Sequence, residues 1–332
     1  MNTLSIIGGG SWGTALAIVL APRFPSVRLW FHEHDLAERT ARTRENNVFL
    51  PGFQLPANVH VTSDLADALS SAEIVLGVMP SHHARRLYER MLPHLDPSML
   101  FVSATKGIEN GTLLRMTEVV RQVVGARFEP RVAALSGPTF AREIARGEPA
   151  AVVISATDRA LAQQIQRAFS GPALRLYTNG DPVGVELGAA LKNVVAIGAG
   201  VCAGLNLGSN TMAALITRGL AEITRLAVEL GGQPQTLAGL AGLGDLVLTC
   251  TGNLSRNRHV GVELGKGRKL SDIVGSMTMV AEGVHTAYAA HDLARRESVE
   301  MPITEQMYAI LELGKSPKDA LRELMERSLK AE

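Results

Sequence analysis

One lysine stands out as a candidate for chemistry. Lys192 lies inside the apolar run Gly184-Val185-Glu186-Leu187-Gly188-Ala189-Ala190-Leu191-Lys192-Asn193-Val194-Val195-Ala196-Ile197, with Asn193 as its polar neighbour. An ammonium in an apolar helix is costly to bury unless it is paired. It can snorkel to water along its own stem, or stand in a cleft as a proton donor or acceptor. Other residues bear on the choice. Asp245 comes out of the glycine-rich turn Gly239-Leu240-Ala241-Gly242-Leu243-Gly244. It can cap a helix, or pair with a lysine and orient it. Thr251-Gly252-Asn253-Leu254-Ser255-Arg256-Asn257-Arg258 offers a hydroxyl, a guanidinium and an amide in succession. That set suits a phosphate, because arginine presents a fork of donors and Ser255 and Asn257 add neutral ones; the same residues also make an ordinary polar surface loop.

A second set binds rather than reacts. Residues 3–7 are a short β-prone run, and Gly8-Gly9-Gly10-Ser11-Trp12-Gly13-Thr14-Ala15 follows at once. Gly8, Gly10 and Gly13 have the G-x-G-x-x-G spacing between a strand and a helix. The first glycine makes the tight turn, the second admits a pyrophosphate to the backbone, and the third lets helix pack on strand. The helix N-terminus adds amide hydrogens and a partial positive charge. After the second strand, residues 27–31, an NAD-selective fold places an acid for the ribose 2′-hydroxyl. Here the chain reads Phe31-His32-Glu33-His34, with Arg39, Arg42 and Arg44 beyond. The absence of an acid at His32 and the nearby bases favour NADP. Glu33 keeps NAD open, and each arginine taken singly also fits a solvated helix face.

These residues need elements to position them. Runs 73–79, 99–103, 131–135, 150–154 and 173–177 read as further strands, with helical stretches near 83–92 and 158–169. Strands alternating with helices argue a doubly wound, mostly parallel sheet. Gly8 to Gly13, Pro80 to His82, Lys106 and Ser136 to Thr139 all fall just after strands. In an open parallel sheet those carboxyl ends line one crevice, where ligands bind. Lys106 is therefore expected to contact a ligand, whereas His82 and His83 are expected to be structural or solvated. Asn179-Gly180-Asp181-Pro182 is a turn in which Asp181 can cap a helix and Pro182 open it. The domains expected are residues 1–180, binding dinucleotide, and residues 181–332, binding substrate. Beyond the turn, stretches 183–205, 211–230, 270–275, 286–296, 303–313 and 317–330 read as helical.

Composition excludes several function classes. Lys+Arg total 33 and Asp+Glu 32, a formal charge of +1. No global field draws the chain to nucleic acid or a membrane, so an anion site must be local. Aromatics at 4% leave little for stacking bases. Cys202 and Cys250 sit in apolar segments and are expected as buried reduced thiols in a reducing cytoplasm. The N-terminus lacks a basic n-region, so no signal peptide is expected. The uncharged apolar run 194–205 is short of the ~20 residues that span a bilayer. No His/Cys/carboxylate cluster has metal-ligand spacing.

Taken together, Gly8 to Ala15, Ala104-Thr105-Lys106-Gly107, Ser136-Gly137-Pro138-Thr139-Phe140-Ala141, Lys192-Asn193-Val194, Gly242-Leu243-Gly244-Asp245 and Ser255-Arg256-Asn257 resemble the bacterial-type NAD(P)-dependent glycerol-3-phosphate dehydrogenases, in the same order and over nearly the whole chain. The resemblance implies a Rossmann-type domain plus an all-α domain. It implies a cytoplasmic enzyme that reduces dihydroxyacetone phosphate to sn-glycerol 3-phosphate for phospholipid synthesis, and it is compatible with a homodimer. Carried over, Lys192 is the catalytic acid/base. Lys106, Gly137, Thr139, Lys192, Asp245, Ser255, Arg256 and Asn257 contact substrate. Gly8, Gly10, Ser11, Trp12, Gly13, His32, Lys106, Ala141, Arg256, Val280 and Glu282 contact NADP or NAD. The alternative is a ketopantoate or β-hydroxyacid-type reductase, which shares the two domains and a lysine on the first helix. A carboxylate site would then replace the phosphate site, and Ser255-Arg256-Asn257 argues against it.

Overall fold

A computed structural model describes residues 1–277 and 281–329. The strands are β1 (Thr3–Ile7), β2 (Ser26–Trp30), β3 (Val59–Thr62), β4 (Ile74–Gly77), β5 (Leu100–Ser103), β6 (Arg131–Ser136), β7 (Ala150–Ser155) and β8 (Leu174–Asn179). Around them run the helices α1 (Ser11–Leu20), α2 (His34–Thr43), α3 (Leu65–Leu69), α4 (Ala84–Met91), α5 (Met116–Val124), α6 (Ala141–Ala145) and α7 (Arg159–Phe169). The eight strands form one sheet in the order β3-β2-β1-β4-β5-β6-β7-β8. The first six are parallel. β7 runs antiparallel to β6, and β8 parallel to β7.

Both faces of this sheet are covered, so its inner strands β1, β4, β5 and β6 are buried almost throughout, whereas the edge strand β8 alternates buried and exposed residues. Leu4 and Ile6 of β1 join Leu16, Val27 and Leu29 on one face. Ile7 joins Trp30, Val75 and Phe101 on the other. The polar Ser5 is buried, and its hydroxyl donates to Ala68 O at 2.7 Å.

β8 ends at Asn179, and from there the described chain is helical. It comprises α8 (Pro182–Gly204), α9 (Ser209–Glu229), α10 (Pro234–Leu237), a π-helical turn (Leu240–Gly244), α11 (Asp245–Thr251), α12 (Arg256–Gly265), α13 (Leu270–Gly275), α14 (Glu282–Arg296), α15 (Pro302–Glu312) and α16 (Pro317–Met325). Asp181 caps α8, its carboxylate accepting from Gly184 N at 2.8 Å, and Pro182 opens it. By length and composition α8 could cross a bilayer. It is instead the buried axis of the helical part, wrapped by α9, α11, α12, α14 and the sheet. The closest crossing is with α12. A Cβ on Gly200 would come 2.0 Å from Arg258 O, and one on Gly261 would come 1.9 Å from Ile197 O. The two backbones meet because both helices present glycine at the crossing.

The structure departs from the sequence reading in three places. β3 is a strand, although 59–62 carried no strand reading. The stretch around Asp245 is helical on both sides instead of a glycine-rich turn. The segment 251–258 is only partly a loop, because Arg256 opens α12.

Candidate active site

The glycine-rich turn after β1 has the shape a dinucleotide requires. Gly8 has φ +128°, and a Cβ there would sit 2.7 Å from Val78 O. A Cβ on Gly13 would come 1.8 Å from Gly8 O, so α1 packs on the turn only because that position is bare. Gly10 has open space where its Cβ would stand, and it precedes α1 with no side chain capping the helix. The backbone is thus left approachable at a positive helix end, which fits a pyrophosphate. Gly9, outside the spacing pattern, is fixed as well, since a Cβ would run into the Phe31 ring.

The strand ends converge as the topology requires. Thr105, just past β5, donates its hydroxyl to Met79 O, just past β4, at 2.9 Å. Lys106 reaches the turn past β6, its Nζ donating to Gly137 O at 3.0 Å and Thr139 Oγ1 at 3.3 Å. Gly137, at φ +146°, lies so close to β7 that a Cβ would be 2.9 Å from Val152 Cα.

The helical part faces this crevice with Lys192 and Asp245. Lys192 is buried and does not snorkel. Its Nζ donates to Asp245 Oδ1 and, at 2.8 Å, to Thr249 Oγ1. Asp245 is fully buried, and its other oxygen accepts from Lys106 Nζ at 2.7 Å. One carboxylate therefore joins two ammonium groups carried by the two parts of the chain. Burial drives the Lys192 pKa down to about 7, and the Lys106 ammonium adds to the fall while Asp245 opposes it. Thr249 is one turn beyond Asp245 on α11, and it donates back to Asp245 O at 2.6 Å.

Ser255 caps α12, its hydroxyl accepting from Arg258 N at 3.2 Å. Arg256 is exposed and makes no hydrogen bond among the described residues. Asn257 is buried and ties the site together. Its Nδ2 donates to Asn193 Oδ1 and its Oδ1 accepts from Gly283 N, both at 2.9 Å. The start of α12 thus offers, at a positive helix end, a guanidinium that feels the Glu282 charge but has no hydrogen-bond partner among the described residues, the chemistry of a phosphate site.

The remaining nucleotide candidates are spread around the crevice. Ser11 donates its hydroxyl to Phe49 O at 2.8 Å. The Trp12 indole nitrogen is buried with no partner among the described residues. His32 is exposed past β2, and Ala141 opens α6. Glu282 opens α14 and accepts from Ser81 Oγ at 2.9 Å, bridging the two parts of the chain. Burial raises its pKa. Val280 lies outside the described residues. His82 and His83 are exposed beside His285, with ring centroids at 4.0 Å for the first pair and 4.6 Å for His82 and His285. Cys202 and Cys250 are free and buried, as expected. The sequence placed Ser81 in the crevice only as part of the turn from Pro80 to His82, and it missed Thr249, Glu186 and Arg115. Only Thr249 had a readable signal, its i+4 spacing from Asp245.

Models of the NAD-dependent glycerol-3-phosphate dehydrogenase N-terminus and C-terminus match residues 3–162 and 181–322. A glycerol-3-phosphate dehydrogenase [NAD(P)+] of Koribacter versatilis is 61% identical over 329 residues, covering 98% of each chain. The solved glycerol-3-phosphate dehydrogenase of Coxiella burnetii superposes with a TM-score of 0.94 at 39% identity, covering 98% of this chain and 99% of that one. A ketopantoate reductase of Ralstonia eutropha reaches a TM-score of only 0.60 at 16% identity, covering 96% and 99%, which is a likeness of fold alone. The chain therefore belongs to the NAD(P)-dependent glycerol-3-phosphate dehydrogenase family.

Proposed function

We propose that Lys192 is the acid/base of this dehydrogenase. Lys106 and Asp245 would position it, and the start of α12 would hold the substrate phosphate. The observation that carries the reading is the Asp245 carboxylate shared by Lys192 and Lys106 at the crevice. The bound nicotinamide supplies the hydride that reduces the ketone carbon. Negative charge then develops on the carbonyl oxygen of dihydroxyacetone phosphate. Protonated Lys192 stabilises that charge and gives up its proton, leaving an alcohol and a neutral amine. In the reverse direction the neutral amine takes the proton. A pKa near 7 suits both directions. Arg256 and the α12 N-terminus, with Ser255, would bind the phosphate remotely and so orient the carbonyl. Gly137 and Thr139 would line the substrate, while Gly8 to Gly13, His32, Ala141, Val280 and Glu282 would hold the nucleotide. The bases around His32 favour NADP within the NAD(P) use of the family. The helical part, residues 181–332, would carry the substrate and the sheet, residues 1–180, the nucleotide. A reducing cytoplasmic setting fits the two buried free thiols.

The test is a spectrophotometric assay of NADPH and NADH oxidation. Turnover is expected with dihydroxyacetone phosphate, but not with ketopantoate or with no substrate, and faster with NADPH. Turnover with ketopantoate alone would overturn the substrate assignment, and faster turnover with NADH would overturn the coenzyme preference.

A further inference from the structure

We propose that Glu186 is a positioning residue that locks the loop carrying Lys106 onto α8, and so sets how Lys106 meets the Asp245 carboxylate. The inference rests on the functional reading above and concerns a residue outside the proposed substrate and nucleotide contacts. Glu186 is buried, six residues before Lys192 on the same helix. Its carboxylate accepts from Arg115 Nη1 at 2.8 Å, Thr117 N at 2.8 Å and Thr117 Oγ1 at 2.6 Å. Arg115 and Thr117 belong to the start of α5, so an anion from the helical part sits at the positive end of a helix from the sheet part. Arg115 is forked, its Nη2 donating to Glu118 Oε1 at 2.6 Å.

The hold passes to Lys106 through a short, stiff loop. Ile108 and Arg115 form an antiparallel bridge, with Glu109 N donating to Leu114 O at 2.9 Å. Arg85 grips the Glu109 carboxylate through Nε at 2.9 Å and Nη2 at 2.7 Å, and Thr112 donates to the same group. Ile108 is buried in the core of the helical part with Leu187 and Leu191, not in the sheet core. Lys106 thus lies two residues before the bridge of its loop, whose far end is bonded to the helix that bears Lys192. A buried carboxylate with a charged partner and two further donors is costly to leave half-paired. That cost makes this register of loop on helix the stable one. The groups facing Glu186 are Arg115, Thr117 and Glu118. Those facing Lys192 are Asp245, Lys106, Thr249 and Cys250.

The distinguishing readout is the pH profile. The Lys106 ammonium favours neutral Lys192. Withdrawing it frees Asp245 for Lys192 alone, and the Lys192 pKa rises. Glu186→Gln keeps the volume and an acceptor for Thr117 but loses the charge paired with Arg115. Arg115→Lys keeps a charge for Glu186 but cannot span to Glu118. Both are to be measured for reduction of dihydroxyacetone phosphate by NADPH from pH 5.5 to 9, alongside the melting temperature. The expected result is a folded variant whose KM for dihydroxyacetone phosphate rises several-fold. Its high-pH limb of kcat/KM should lie about one unit above the parent's, the low end of the shift a neighbouring charge exerts. A folded variant with the parent's KM and limb overturns the proposal. So does activity lost only in proportion to unfolded protein, with the limb unmoved. Should Glu186→Gln not fold, Arg115→Lys carries the same two outcomes. A parent inactive on dihydroxyacetone phosphate would instead overturn the functional reading, and this inference with it.

Discussion

Asp245 is one carboxylate between two ammonium groups, fully buried, with no other charged group hydrogen-bonded to it among the described residues. The three together carry an excess of positive charge in a desolvated place. Burial and the second ammonium both disfavour the charge on Lys192, and only Asp245 keeps it on. That balance predicts opposite pH dependences for the two directions. Reduction needs the ammonium, so its kcat/KM should fall tenfold per unit above about pH 7. Oxidation needs the free amine, so its kcat/KM should rise up to that point and level off. Lys192→Met should abolish both limbs and lower kcat by about 10²–10⁴-fold while NADPH still binds; activity within tenfold of the parent would remove the acid/base role. At this scale the sequence was informative where a residue type is rare in its surroundings. A lysine in an apolar run and an aspartate after glycines are visible without a fold. Glu186 was not legible, although it lies in the same run, because its partners Arg115 and Thr117 are about 70 residues away and nothing local marks them.

At the scale of elements, the long periodic or wholly apolar segments were readable and the short or glycine-rich ones were not. β3 has four residues, Val-His-Val-Thr, at the edge of the sheet, too few to establish a period. α12 contains Gly261 and Gly265, which lower helix propensity and suggest a loop. The structure shows what those glycines supply in return, a backbone-close crossing over α8. That is a tertiary gain no local rule contains. The same reasoning predicts that Gly261→Ala will be harmful, even though alanine is the better helix former. The added Cβ would meet Ile197 O at 1.9 Å and Gly200 Cα at 2.8 Å. Neither atom is the end of a flexible side chain, so the helices must part. A loss of about 1–3 kcal/mol is expected, measurable as a lower denaturant midpoint. Because α8 carries Lys192 and α12 carries Arg256, kcat/KM should fall as well. A variant as stable as the parent would show that the crossing has slack.

At the scale of the molecule, the two parts of the chain are joined by features of different kinds. Ile108, from the loop after β5, is packed in the helical core. Val185 of α8 and Ala241 of the π-helical turn pack against Ala134 and Val153 of the sheet. Polar links cross at Glu186 to Arg115, Asp245 to Lys106 and Glu282 to Ser81. Each polar link involves a buried or half-buried carboxylate, and separating the parts breaks these charge-assisted bonds and exposes the apolar contacts packed beside them. Neither part should therefore unfold first and leave the other intact. The prediction is a single calorimetric transition without ligand, with calorimetric and van't Hoff enthalpies equal. NADPH at 100 times its Kd should stabilise the whole by about 2.7 kcal/mol, moving that one transition upward without splitting it. Two resolved transitions in the free protein, with only the lower-melting one shifted by NADPH, would mean that the sheet and the helical part are energetically separate and that the cleft is assembled by the ligand.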